Sequence, residues 1–234
     1  LKNVDKKNYI EKYEKRLAQY GYSPLTLGWG KGGRQDVRFS VLAKDVLKHP
    51  DSSVLDVGCG FADLEKFLTK RGWKGKYTGI DIVPGLIETA LKQNKHLDVR
   101  QIDITGKQAE TLGQYDYVIS SGALNARLLN YDNNEHIRCF LSRMYEKANI
   151  CVTVDFMTSY VDWHAEGSWH TDPGWAYGEA RKLSKRIMIR SDYMPWEFAL
   201  IIYKDDRISK NNVFQAVNKS VKNSTFGGVN LHPR

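Results

Sequence analysis

A chain of 234 residues with 41% hydrophobic content can bury one substantial core, and a single domain is expected. No run of eighteen apolar residues is present and residues 1–7 lack an apolar signal core, so neither a membrane span nor secretion is indicated. The net charge of +8 sits at the ends: residues 1–20 carry +3 and residues 204–234 carry +4, a pattern of solvated basic termini rather than of a nucleic-acid groove. A cytoplasmic protein without a nucleic-acid or membrane partner is therefore expected. The missing initiator methionine hints that the chain was cut from a longer one. Cys59, Cys139 and Cys151 have no metal-ligand spacing and read as reduced packing residues; no metal site is expected.

In chain order, residues 9–20 show helical spacing, ended by Gly21-Tyr22-Ser23-Pro24. A glycine-rich loop over 25–34 carries Trp29, and a helix is predicted over about 35–48. The most informative stretch follows. The apolar run Val54-Leu55-Asp56-Val57 breaks at Gly58-Cys59-Gly60 and resumes with helical spacing in Leu64, Phe67 and Leu68. A strand that hands over to a helix through a turn without side-chain bulk lets backbone approach a cofactor closely. About twenty residues on, the short strand Tyr77-Thr78-Gly79-Ile80 ends in Asp81, placed to offer a carboxylate to ribose hydroxyls. Residues 98–102 form a third strand ending at Asp103, and 117–119 a fourth that runs into Ser120-Ser121-Gly122. Four strand ends then line one side of a parallel sheet, where open α/β folds bind ligands. A dinucleotide-binding dehydrogenase competes for the same glycines, but its third fingerprint glycine would be Asp63, which repels a pyrophosphate; Asp63 also reads as a helix cap.

Beyond this half, Asn133–Lys147 reads as an amphipathic helix and 148–156 as a fifth strand. Residues 157–175 break the pattern and crowd Tyr160, Trp163, His164, Trp169, His170 and Trp175 into a loop, expected to form a lid over the acceptor site. A helix over 177–185 precedes two strands, 186–191 and 198–203, which a short connection makes antiparallel; their loop brings Tyr193 and Trp196 beside the lid.

These residues resemble the class I S-adenosylmethionine-dependent methyltransferases. The first family motif stands here as Asp56-Val57-Gly58-Cys59-Gly60-Phe61-Ala62, with alanine for its last glycine. The next three are matched by Ile80-Asp81-Ile82, by Gln101-Ile102-Asp103-Ile104 and by Tyr115 to Ser121, so that the resemblance covers about residues 35–205. It implies an α/β fold with a doubly wound, mostly parallel seven-stranded sheet, an antiparallel last strand and helices on both faces. Residues 1–34 would form an N-terminal helix and cofactor-covering loop, 35–205 the methyltransferase domain, and 206–234 a basic tail. The implied cofactor is S-adenosylmethionine, yielding S-adenosylhomocysteine.

Asp56, Gly58, Cys59 and Gly60 would shape the loop under its amino-acid part. Asp81 would hold the ribose, Ile82, Asp103 and Ile104 the adenine, and Ser120 and Ser121 the region of the sulfur. Arg38 is either a bidentate partner of the methionine carboxylate or a surface arginine on its helix. Trp29, Tyr160, Trp163, His164, Tyr193 and Trp196 are the candidate acceptor-binding residues. His164 and His170 are the leading candidates for a base by intrinsic pKa, with Tyr193, Glu197 and Asp155 as others; a base is needed only when the acceptor must lose a proton. A small-molecule acceptor is favoured over RNA or protein, with a non-catalytic cofactor-binding module as a third reading. Nothing in the sequence bears on oligomeric state.

Overall fold

The structure, a computed structural model, describes residues 3–29 and 34–205. The fourth, fifth and seventh strands carry apolar residues at nearly every position because alternate side chains enter two different cores. Tyr117, Ile119, Cys151, Ala199, Ile201 and Tyr203 point to one face; Val118, Val152, Val154, Phe198, Leu200 and Ile202 point to the other. Both faces must then be covered. Helices α2 (Gln35–Leu42), α3 (Asp63–Thr69) and α4 (Pro84–Gln93) contribute to the first core, and α5 (Asn133–Lys147) and α6 (Pro173–Leu183) to the second.

The strands are β1 (Val54–Val57), β2 (Tyr77–Asp81), β3 (Val99–Gln101), β4 (Tyr115–Ser120), β5 (Ala148–Met157), β6 (Ile187–Arg190) and β7 (Glu197–Tyr203), in the spatial order β3-β2-β1-β4-β5-β7-β6. All neighbours are parallel except β7, which runs antiparallel between β5 and β6. The doubly wound seven-stranded sheet with a reversed last strand is thus as expected, the reversed strand lying inside the sheet and β6 at its edge. From β1 the chain winds outward to β2 and β3, then returns to place β4 on the other side of β1. This reversal opens a crevice at the carboxyl ends of β1 and β4, where ligands bind in such sheets.

Helix boundaries depart from the sequence reading where local capping decides. Helix α6 begins at Pro173, ahead of the expected residue 177, because the Asp172 carboxylate accepts from Trp175 N at 2.6 Å and proline suits the first helical position. Helix α2 stops at Leu42, where the Thr153 hydroxyl donates to the Leu42 carbonyl at 3.0 Å, and a short 3₁₀ turn over Val46–Lys48 follows. The helix expected over 9–20 is longer: α1 (Asn3–Tyr20) lies across the strand ends. Its Tyr9, Ile10, Tyr13 and Leu17 pack on Phe61, Val83 and Leu86. Buried Asp5 accepts from the backbone N–H of Leu129 and Asn130, Lys6 reaches Asp103, and Glu14 accepts from Gly85 N. The expected basic tail, 206–234, lies outside the described residues, as do residues 30–33 of the glycine-rich loop.

Candidate active site

At the end of β1 the backbone turns through Gly58 (φ +74°) and Gly60 (φ +54°), conformations that favour glycine. A Cβ on Gly58 would also lie 2.7 Å from that of Ala123 in the turn after β4, so β1 and β4 approach here more closely than a side chain permits. Gly58 N and Cys59 N both donate to the Ile80 carbonyl. Ala62, where the family pattern has glycine, is the only non-glycine with positive φ among the described residues. The helix begins one residue later and Ala62 itself is left-handed, at a cost of about 1–2 kcal/mol. Its fully buried methyl group offsets about 0.8 kcal/mol of that.

Asp81 closes the turn. Its Oδ2 accepts from Gly60 N at 2.9 Å and its Oδ1 from Val83 N at 3.0 Å. The carboxylate thus ties the glycine turn to the start of α4 while still facing the crevice. Burial pushes its pKa up, against the pull of the backbone N–H bonds.

Asp56 takes the Tyr77 hydroxyl at 2.7 Å, and burial, with Asp81 and Asp63 nearby, pushes its pKa up to about 7. Asp103, despite its burial, is held below the usual carboxylate range by the Thr105 hydroxyl and N–H and by Lys6. These three carboxylates line one pocket whose described lining contains no lysine or arginine. Such a cavity suits a cationic ligand without phosphates and opposes a pyrophosphate. These residues oppose a dinucleotide, whereas Asp63 accepts from the Tyr22 hydroxyl and pairs with Lys66 away from the pocket.

The buried Asp56 charge has a measurable consequence. A carboxyl whose folded pKa stands near 7 against an ordinary 3.8 binds its proton more tightly in the folded state, so its contribution to stability is fullest below 3.8 and is lost as pH rises to 7. Asp56→Asn, which keeps an oxygen to accept from Tyr77, is expected to raise unfolding free energy at pH 8 by up to about 4 kcal/mol and to flatten the pH dependence between those limits. Urea melts at pH 5 and pH 8 measure it; an unchanged or lowered stability at pH 8 contradicts the expectation.

The remaining wall follows β4. Ser121, Gly122 and Ala123 face the pocket, as do Trp29 and Phe39. Asp155, on β5, holds this turn: its Oδ2 accepts from the Ser121 hydroxyl at 2.7 Å and its Oδ1 from Gly122 N at 2.6 Å. Burial and the neighbouring Glu197 push the Asp155 pKa up to about 6. Arg38 takes neither expected role. It is 7% exposed, its Nε donates to Glu197 Oε2 at 2.7 Å and its terminal nitrogen to Oε1, and its guanidinium lies 4.0 Å from the Trp29 ring centroid. Its Nε edge is taken by Glu197, and Arg38 does not line the pocket. Trp29 in turn abuts Gly122, where a Cβ would meet its ring at 2.3 Å.

Of the sequence-derived candidates, the structure brings Asp56, Gly58, Cys59, Gly60, Asp81, Ile82, Asp103, Ile104, Ser121 and Trp29 to one pocket. Ser120 is turned away, donating its hydroxyl to the Val57 carbonyl. Tyr160, Trp163 and Trp196 are exposed by 74%, 72% and 56% and do not line it. The expected aromatic lid is absent here because bridges Ala126↔Ser168 and Thr158↔Thr171 fold the 157–172 loop back on itself and on the turn after β4, packing Trp169 and Trp175 against the α5 and α6 core.

His164 stacks on His170 at 4.5 Å, exposed and outside the pocket. Tyr193 is also outside, and burial beside Asp155 and Glu197 raises its pKa, so it keeps its proton. Neither is placed as a base. The covering role falls to α1, whose Tyr9 and Tyr13 line the pocket, and to His136 and Phe140 of α5. Both pairs are spaced i, i+4 on helices legible in the sequence, a signal that marks a shared face.

Residues 54–147 match the family model described as a methyltransferase domain. Over 158 residues, 65% of this chain and 93% of the relative, the sequence is 28% identical to a putative methyltransferase of Mycobacterium tuberculosis. It is 26% identical over 108 residues, 46% of this chain and 42% of the relative, to malonyl-(acyl-carrier protein) O-methyltransferase of Anoxybacillus flavithermus. Among solved structures, magnesium protoporphyrin IX methyltransferase from Synechocystis PCC 6803, crystallised with bound S-adenosylhomocysteine, superposes with a TM-score of 0.64 at 17% identity, covering 86% of this chain and 100% of that one. With the strand order and the carboxylate-lined crevice described above, the chain carries a methyltransferase domain over residues 54–147, in the fold expected from the resemblance to the class I S-adenosylmethionine-dependent methyltransferases.

Proposed function

We propose that this methyltransferase acts on a small-molecule acceptor. The observation that carries the reading is the pocket itself: its described walls are largely apolar and aromatic, with Tyr9, Tyr13, Trp29 and Phe39 contributing, it lies under α1, and among the described residues no lysine or arginine lines it. Small ligands need largely buried apolar cavities with few polar anchors, whereas a polymer needs an accessible cationic track. By their names, the magnesium protoporphyrin relative acts on a small molecule and the malonyl-(acyl-carrier protein) relative on a small acyl group held by a carrier, which points in the same direction. The free, largely buried cysteines agree with a cytoplasmic setting.

In this reading Asp81 accepts from the ribose hydroxyls, Ile82, Asp103 and Ile104 border the adenine, and the backbone of residues 58–60 passes beneath the amino-acid part. The bound donor supplies an electrophilic methyl group on a sulfonium. What the chain adds is alignment and exclusion of water. Ser121 directs its proton to Asp155, which leaves its oxygen lone pairs free to accept from an N–H or O–H of the acceptor; with an Asp155 pKa of about 6, the carboxylate behind it is ionised at neutral pH and can take that proton through Ser121.

The test uses donor carrying a labelled methyl group, incubated with the protein and with separate small-molecule, RNA and protein fractions of a cell extract. Label is expected in dialysable product, with little dependence on salt. Label in RNA or protein that falls steeply as salt is raised overturns the small-molecule reading.

A further inference from the structure

His136 lies on α5 with 7% of its surface exposed, it lines the pocket, and its Nδ1 is buried without a hydrogen-bond partner among the described residues. Phe140 and Tyr131 meet its ring edge-on, at 5.8 Å and 6.4 Å between centroids. Burial lowers its pKa to about 4, so at neutral pH the imidazole carries one donor and one acceptor and no charge. A buried polar atom without a partner is unfavourable, and in a ring that lines a ligand cavity a turn about the Cβ–Cγ bond brings that atom to the ligand.

The position of His136 along the pocket identifies the part of the ligand it would meet. Consecutive α1 residues grip two elements: Asp5 binds the backbone of residues 129–130, just before α5, and Lys6 reaches Asp103 at the end of β3. The start of α5 is thereby held beside the end of β3, at the side of the pocket lined by Ile102, Asp103 and Ile104 and across from Trp29 and Gly122. Asp103 already spends Oδ1 on both Thr105 donors and offers Oδ2 to Lys6. It has little capacity left to read a base edge alone.

We propose that His136 is a base-reading residue of the donor pocket, its Nδ1 hydrogen-bonding the adenine edge so that preference for adenine is shared with Asp103. The proposal rests on the donor reading above, and the two fail differently. Titration calorimetry with S-adenosylhomocysteine, and with its analogue carrying hypoxanthine in place of adenine, is expected to show His136→Phe binding the adenine compound about 10- to 100-fold more weakly, with a reduced preference over hypoxanthine. His136→Asn, which restores a polar group, is expected to recover part of the loss, and it serves in place of the phenylalanine variant if that one does not fold.

In protein labelled with ¹⁵N at histidine, the His136 Nδ1 resonance should move when S-adenosylhomocysteine is added. Unchanged affinity and base preference in both variants, or an Nδ1 resonance indifferent to the ligand, overturns the proposal while leaving the donor assignment standing. If wild-type protein takes up neither compound, the donor assignment falls, and this inference with it.

Discussion

Asp81→Ala is expected to weaken S-adenosylhomocysteine binding by at least about 100-fold while leaving the protein folded. Two losses combine. The ligand loses an acceptor for its ribose hydroxyls, and such hydrogen bonds contribute about 0.5–1.5 kcal/mol each. The pocket loses the link between Gly60 N and Val83 N, which the two oxygens of this one side chain hold 2.9 and 3.0 Å away, so the glycine turn is no longer fixed against α4 before the ligand arrives.

The cost to stability is smaller, because the same substitution removes a buried carboxylate whose pKa burial has already raised. Asp81→Asn separates the two contributions. It can accept from only one of the two backbone groups and must turn its amide nitrogen toward the other, so affinity falls although the side chain keeps its shape. Calorimetry gives the affinities and urea midpoints the stabilities. Binding by the alanine variant within about threefold of wild type would remove Asp81 from the site, since even one neutral hydrogen bond contributes about 0.5–1.5 kcal/mol.

The parts of this molecule that could be read from its residues are those in which local chemistry and tertiary position obey the same rule. Strands buried on both faces must be apolar throughout, so β1, β4, β5 and β7 announce themselves, and a carboxylate ending the strand after a glycine turn is placed by the sheet alone. What could not be read depends on partners distant in the chain. Arg38 sits 159 positions from Glu197, and nothing near either residue marks them as a pair. The aromatic loop misled for a related reason: composition reports that Trp163 and Trp169 share a segment, but the backbone bridges to residues 126 and 158 decide that one is exposed while the other packs on the core.

The start of α6 was within reach, since Asp172-Pro173 is a cap followed by a first-turn proline. So were the pocket-facing tyrosines of α1, spaced by four on a helix already recognised, had the direction in which that helix lies been known.

The buried pair made by Arg38 and Glu197 should carry the largest stability effect among single substitutions. Arg38→Ala leaves Glu197 uncompensated, 9% exposed and close enough to Asp155 to raise the pKa of that carboxyl, and breaking such a pair costs about 3–5 kcal/mol. Arg38 favours the ionised form of Asp155, so its removal lifts the folded pKa of that group further above 3.8. The sign then follows. Stability tied to a raised carboxyl pKa is fully present below the unfolded value and is lost as pH rises through the folded one, so the variant should lie nearest to wild type in acid and fall furthest behind it above pH 7.

Replacing both partners, with Arg38→Met and Glu197→Leu, removes the charges together and is expected to bring stability back to within about 2 kcal/mol of wild type, because desolvation opposes most of what the ion pair contributes. The double variant should still lack one property. Trp29 rests on the Arg38 guanidinium at 4.0 Å and against Gly122 on the pocket wall, and without that planar cation beneath it the indole loses its seat. Methyl transfer should therefore remain impaired in a protein that melts normally, with donor affinity, set by Asp81 and the glycine turn, little changed. Recovery of both stability and turnover in the double variant would mean that the pair serves the fold alone; a single variant as stable as wild type at pH 8 would mean that it does not serve even that.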